Sequence, residues 1–179
     1  MGNTYTLSVA GLTRELAICP ASNKLDIAAF IMFSDVELTV ACASELLSRV
    51  PVFDVIITAE SKGIPLAYEM ARSSGKNYVV ARKSVKLYMR NPVSVSVKSI
   101  TTESIQTLYL SEEDFINLKG KRVLIIDDVI STGESLKALE KLVEVSGGDI
   151  AGKAAVLAEG EAASREDIIF LEKLPLFFK

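Results

Sequence analysis

The string VLIIDDVISTGES, residues 123–135, constrains this chain more than any other part of it. Its apolar start predicts a buried strand that delivers two adjacent carboxylates, Asp127 and Asp128, to its C-terminal end; a turn bearing hydroxyls and a glycine then opens a helix. Ligands of open α/β sheets sit at that end of the strands. Ser131, Thr132, Gly133, Glu134 and Ser135 can aim backbone amides and three hydroxyls at one point, where the positive end of the helix dipole also points. The pattern predicts a phosphate cradle, with the Glu134 side chain turned outward. It has neither the GxxxxGK[ST] order of a Walker loop nor the GxGxxG of dinucleotide folds. Two carboxylates beside a phosphate repel it unless they hold something else, such as ribose hydroxyls or a magnesium-hydrated sugar.

The rest of the chain agrees with an α/β sheet. VFDVIITA (52–59), NYVVAR (77–82), KRVLIIDD (121–128) and IAGKAAVLA (150–158) read as short buried strands, separated by helical patterns that stop at Gly75 and Gly147. Ahead of them, Val36, Val40, Ala43, Leu47 and Val50 recur at three- and four-residue spacing behind Asp35, which predicts an N-capped amphipathic helix packed through that stripe. Residues 84–110 alternate and are rich in serine and threonine, the signature of a long hairpin or mobile loop.

Composition narrows the chemistry. At 179 residues the chain fits one domain, and 49% apolar with 24% charged residues is a globular mix. The net charge of -3 supplies no field for nucleic acid or anionic lipid, so any phosphate must be gripped locally. There is no histidine, which removes histidine-based triads, zinc sites and general bases together. Cys19 and Cys42 read as two buried thiols of a reducing compartment. No membrane span and no leader pattern is visible in the sequence, so a cytoplasmic protein is expected. A mean hydropathy of +0.32 points to apolar surface covered in an oligomer.

Apolar tetrad, acidic pair, two further residues and a Ser/Thr-Gly turn resemble the phosphoribosyl pyrophosphate (PRPP) signature of type I phosphoribosyltransferases. The likeness extends over roughly residues 35–158. It implies a central parallel sheet of about five strands flanked by helices, with residues 84–110 as a flexible β-hairpin hood that closes over PRPP and carries Glu103 as its catalytic acid. By the same resemblance Asp127 and Asp128 bind the ribose hydroxyls and, through water and PRPP, magnesium. Ser131, Thr132, Gly133, Glu134 and Ser135 hold the 5-phosphate. The pyrophosphate falls to Glu60, Ser61, Lys62 and Gly63, with Arg82, Lys83 and Lys86 at the end of the next strand. The reaction implied is electrostatic, with a base nitrogen displacing pyrophosphate and no enzyme nucleophile.

For the base, the resemblance is to the purine enzymes of adenine and xanthine, since hypoxanthine-guanine enzymes carry aspartate where this chain has Ser131. The hood sequence leans toward the xanthine type. Glu159 stands where 6-oxopurine enzymes place a lysine, and a carboxylate suits the amine of adenine. Val129 and Ile130 are candidates to pack on the base; Phe177 and Phe178 fit a C-terminal staple better than the base's other face. The expectation is therefore a single-domain, dimeric, magnesium-dependent purine phosphoribosyltransferase that takes PRPP and adenine. Residues 1–34 and 159–179 would be accessory or base-binding segments. The alternatives are a xanthine enzyme and a non-catalytic regulatory PRPP-binding protein; the latter fits less well, because no DNA-binding segment or basic balance is present.

Overall fold

A computed structural model describes residues 3–98 and 105–179. Its centre is a five-stranded parallel sheet in the order β10-β9-β8-β4-β5, built from β4 (Val55–Ala59), β5 (Asn77–Ala81), β8 (Arg122–Ile130), β9 (Asp149–Glu159) and β10 (Ile169–Leu174). A strand alternates its side chains between the two faces of a sheet, and that alternation separates two cores. Ile56, Leu124 and Ile126 face α1 (Val36–Arg49) and α2 (Ile64–Ser74). Val55, Ile57, Val123 and Ile125 face α4 (Glu134–Ser146), with Leu136, Leu139 and Val143 as its inward stripe. The helix after β4 and the helix after β8 thus cover opposite faces, although β4 and β8 are neighbours. A crevice opens between their loops at the C-terminal ends of the strands.

α1 forms where its spacing predicts, and Asp35 caps it by accepting a hydrogen bond from the Leu38 amide at 3.0 Å. Its inward stripe keeps part of the expected one, Ala43 with Leu47 and Val50 against the core, and departs from it at the N-terminal half. Leu38, Cys42, Ala43 and Leu46 are buried, whereas Val36 is 73% and Val40 43% exposed. The helix carries two adjacent apolar stripes, and packing on α2, β9 and β10 turns the second one, Leu38, Cys42 and Leu46, fully inward. α2 closes on Gly75 in the left-handed conformation, with φ 67°, as its sequence predicts.

A second sheet forms from both chain ends. β1 (Thr4–Val9) and β2 (Leu12–Ser22) make a hairpin, β3 (Leu25–Ala28) follows, and β11 (Leu176–Phe178) pairs with β3 to give the order β1-β2-β3-β11. Phe177 meets Tyr5 edge-to-face with ring centroids 5.9 Å apart and is the expected C-terminal staple on this sheet, whereas the Phe178 side chain is exposed. Cys42 is buried and burial pushes its thiol up to about 12, while Cys19 is half-buried; both thiols are free.

β6 (Val93–Lys98) and β7 (Ile105–Leu110) form the expected hairpin. Its strands belong to the core: Leu108 and Leu110 are fully buried against the α4 side, and Arg82 and Tyr109 exchange two backbone hydrogen bonds of 2.8 Å at its base. A short helix, α3 (Glu112–Leu118), follows, capped by Ser111. Glu103 lies outside the described residues.

Candidate active site

Three neighbouring strands end at the crevice. β4 runs into the turn Glu60, Ser61, Lys62, Gly63; β8 carries Asp127 and Asp128 and continues through Val129 to Ile130; β9 ends on Glu159. Ser61, Lys62, Asp128, Val129, Ser131 and Glu159 line one cavity of about 550 Å³. Strand pairing explains why residues so distant in sequence meet, since Ile130 stands opposite Ala158 and thereby places Ser131 beside Glu159.

One acceptor in the cavity is left without a donor. Asp128 is buried, and its Oδ2 has no hydrogen-bond partner among the described residues; the nearest cation is Lys62, whose Nζ lies 3.9 Å away. An orphaned buried carboxylate oxygen is costly unless a ligand supplies the donor. Asp127 accepts from the Asp128 amide at 2.9 Å. Burial, and then the adjacent Asp128 charge, push its carboxyl well above the usual carboxylate range. Burial also raises Glu159, opposed by the Lys62 charge. Lys62 is therefore the shared cation of three carboxylates.

Asp127 and Asp128 line different cavities, as consecutive strand residues must. Asp127 looks into a small cleft of about 50 Å³ lined by Val129, Ile130, Ser131, Thr132, Gly133, Glu134 and Ser135. Here the chain turns on Gly133, whose φ of 76° is a left-handed value that side chains resist. α4 then starts at Glu134, half-buried, with its N-terminus at the cleft. Gln106 of β7 donates to Ser135 Oγ at 2.9 Å and ties the hairpin to this loop.

Gly63 is needed for a close approach. A Cβ there would overlap the Thr58 hydroxyl and stand 3.1 Å from Asp127 Oδ1 and 3.3 Å from Asp127 Cα. The turn after β4 thus rests directly on the acidic strand. The peptide between Glu60 and Ser61 is cis.

The expected pyrophosphate residues form two groups. Ser61 and Lys62 line the cavity. Arg82 and Lys86 instead pair with the Glu60 carboxylate at 3.4 and 3.6 Å, and the Lys83 amide donates to it at 3.1 Å. These contacts hold Glu60 below the usual carboxylate range, the Lys83 amide bond first among them. The Glu60 side chain is thus an anchor for the basic turn, directed at cations. Ile130 is buried in the core on the α4 side and is not part of the wall of the larger cavity, whereas Val129 is.

The opposite wall comes from the 1–34 segment expected to be accessory or base-binding, of which the sequence singles out no individual residue. Ile27, Ala28, Ala29, Phe30, Ile31 and Phe33, at the end of β3 and beyond, line the larger cavity, and Phe30 also belongs to the core, as does Met32, which does not line the cavity. The alternating apolar run IAAFIMF before the Asp35 cap was the available signal. Among the described residues no group of three or more His, Cys, Asp or Glu could hold a metal by itself. The residues present fit a magnesium ion held through water and ligand oxygens, because Asp128 Oδ2 keeps unused acceptor capacity at the cavity.

Comparisons with known proteins agree with this geometry. A family model described as phosphoribosyl transferase domain matches residues 48–174. The chain is 34% identical over 145 residues to an adenine phosphoribosyltransferase of Rhodococcus jostii, covering 81% of this chain and 78% of that protein. It is 34% identical over 117 residues to a xanthine phosphoribosyltransferase of an Exiguobacterium species, covering 65% and 60%. The crystal structure of adenine phosphoribosyltransferase from Thermoanaerobacter pseudethanolicus shares the fold, with a TM-score of 0.71 at 23% identity over 88% of this chain and 95% of that one. The chain belongs to the phosphoribosyltransferase family.

Proposed function

We propose that the protein transfers the 5-phosphoribosyl group from PRPP to adenine, giving AMP and pyrophosphate. The observation that carries the base assignment is Glu159 in the wall of an apolar-sided cavity that also holds Asp128. A carboxylate there accepts a hydrogen bond from an exocyclic amine, and repels the carbonyl oxygen that a 6-oxopurine has at the same place. The adenine phosphoribosyltransferase relative from Rhodococcus jostii supports this reading.

In this reading the ribose hydroxyls donate to Asp128 and Asp127, which supplies the missing partner of Asp128 Oδ2. The amides of Thr132, Gly133, Glu134 and Ser135, with the hydroxyls of Ser131, Thr132 and Ser135, hold the 5-phosphate in the small cleft. Lys62 and the amides of Ser61 and Gly63 face the pyrophosphate, and Arg82, Lys83 and Lys86, ordered on Glu60, extend the positive rim. Val129, Ile31 and Phe33 provide apolar walls for the purine. A ring nitrogen of adenine forms the bond to the anomeric carbon as the bond to the pyrophosphate oxygen breaks, and the base loses its ring proton. Positive charge grows on the ribose next to Asp127 and Asp128; negative charge grows on the leaving group next to Lys62. Magnesium, held through water and PRPP beside Asp127 and Asp128, would neutralise the diphosphate. Glu103 keeps its proposed role as the hood acid.

A xanthine enzyme is the rival, favoured by the Exiguobacterium relative. Residues 1–34 and 159–179 act here as parts of a single domain, the first walling the base and the second closing the N-terminal sheet. A homodimer would cover Val85, Leu87 and Tyr88, exposed beside the basic turn. No helix of the described residues is long and apolar enough to cross a membrane, in keeping with the proposed cytoplasmic location. The activity is tested by pyrophosphate release from PRPP: release that requires both adenine and magnesium supports it, and none with any purine removes it.

A further inference from the structure

Arg165 leaves the 3-10 turn Gly160–Ser164 and is used by none of the roles assigned above. Two of its three guanidinium nitrogens are committed. Nε donates to Asp167 Oδ1 at 2.8 Å and Nη2 to Asp167 Oδ2 at 2.7 Å. Asp167 also accepts from Lys153 at 2.5 Å, and Lys153 donates in turn to Glu140 of α4 at 2.8 Å. The guanidinium is therefore pinned from behind, and its remaining nitrogen, Nη1, is directed toward Gly133 of the phosphate loop. It lies 3.0 Å from the point where a Cβ on Gly133 would stand.

The residue it approaches is the turn's most demanding one. Gly133 has a left-handed φ of 76°, and its conformation sets where the amides of Glu134 and Ser135 point. Charges alternate along Glu140, Lys153, Asp167 and Arg165, and the row ends with its cation on the loop. Arg165, Lys137, Ser131 and Thr132 also line a cavity of about 550 Å³ on the other side of the loop from the Asp127 cleft. A guanidinium stays charged at every relevant pH, and a planar fork held by a carboxylate loses little freedom when it makes a further contact.

We propose that Arg165 is a positioning residue for the 5-phosphate: it braces the left-handed turn at Gly133 and sets a fixed positive charge behind the loop amides. The inference rests on the PRPP reading of that loop. It assigns to the Glu140, Lys153, Asp167 row the task of holding Arg165 in place, and it predicts an effect confined to the phosphate end of the ligand.

The test uses calorimetry on the full chain with ribose 5-phosphate and with pyrophosphate separately, alongside PRPP kinetics. Arg165→Gln is expected to weaken ribose 5-phosphate by about tenfold, through the loss of a nearby positive charge and of the loop's support. Pyrophosphate affinity stays within about twofold, and the KM for PRPP rises more than kcat falls. Asp167→Asn, which frees the fork without touching the loop, moves ribose 5-phosphate affinity the same way by a smaller factor, and Arg165→Lys recovers part of the loss. Equal weakening of both ligands, or no change in either, overturns the brace. Wild-type protein that binds neither ribose 5-phosphate nor PRPP overturns the reading of the loop itself, a distinguishable result.

Discussion

Lys62 Nζ stands 3.9 Å from Asp128 Oδ2, a buried carboxylate oxygen that accepts no hydrogen bond from any described residue. The separation is too long for a strong direct bond and leaves the acceptor facing the cavity. On the proposed function, a sugar hydroxyl supplies the donor this arrangement lacks. PRPP with magnesium should therefore raise the melting temperature by mass action, by the equivalent of about 2.7 kcal/mol at a hundred times its Kd. Asp128→Asn should lose most of that rise. A thermal melt checks both, and a wild-type protein indifferent to saturating PRPP would remove the ribose role of Asp128.

Asp127 couples stability to pH. Its native carboxyl is held above the unfolded value by burial and by Asp128. Its contribution is thus fully present below the unfolded range of about 3.9 and is lost as pH rises through the elevated native value. At neutral pH the buried charge is a net cost. Asp127→Asn keeps an acceptor for the Asp128 amide and removes the like-charge pair, so it should stabilise the ligand-free protein by about 0.5–2 kcal/mol at neutral pH while abolishing turnover. The gain should shrink toward acid pH. Melts of both proteins across pH 4 to 8, as a rough working range, would show it; a variant less stable than wild type at neutral pH contradicts the assigned cost.

Gly63→Ala should be among the most damaging single-methyl changes in the chain. The new Cβ would overlap the fully buried Thr58 hydroxyl and crowd Asp127 from 3.1 Å. Overpacking of this kind costs about 1–3 kcal/mol. Because the Thr58 hydroxyl makes no hydrogen bond of its own in the described structure, Thr58→Ala should cost little and should restore part of the loss when combined with Gly63→Ala. Chemical denaturation of the four proteins measures the coupling, and strict additivity would show that the two residues do not collide.

Glu159→Gln keeps shape and removes charge. If the carboxylate accepts from the amine of adenine, kcat/KM for adenine falls about 10- to 150-fold, the equivalent of roughly 1.5–3 kcal/mol, while the KM for PRPP hardly moves. Burial raises the Glu159 carboxyl, so protonation, and with it loss of adenine affinity, should set in at a higher pH than for a solvated glutamate. A pH profile of adenine KM that is the same in wild type and Glu159→Gln would place Glu159 outside the base contact.

What the sequence makes legible here is local, and what it hides is the result of distant pairing. Residues 123–135 carry strand, acidic pair, turn and helix within one string, so Asp127, Asp128 and the Gly133 turn can be read from their neighbours alone. The stripe of α1 shows the limit. Periodicity identifies a helix, but Val36 with Val40 and Leu38 with Cys42 are equally periodic, and only the neighbours of the folded helix choose between them. The wall formed by Ile27, Ile31 and Phe33 depends on β3 pairing with β11, where Ile27 stands opposite Leu176 at the far end of the chain. The hairpin at Ala10 and Gly11, both with positive φ, has an apolar residue where asparagine would have announced it. Arg165 reaches Gly133 only through a turn that follows β9. No spacing rule connects them.

On the proposed function, one cavity joins a ribose site at Asp128 to a base site at Glu159 that selects a 6-amino purine. The measurement that tests it most directly is kcat/KM for adenine, xanthine and hypoxanthine, with PRPP and magnesium saturating, in wild type and in Glu159→Lys. The account predicts AMP formation with adenine preferred by at least about tenfold, and a loss of that preference in Glu159→Lys, which turns the acceptor into a donor. A wild-type enzyme that prefers xanthine, or a Glu159→Lys variant with unaltered base preference, would contradict it.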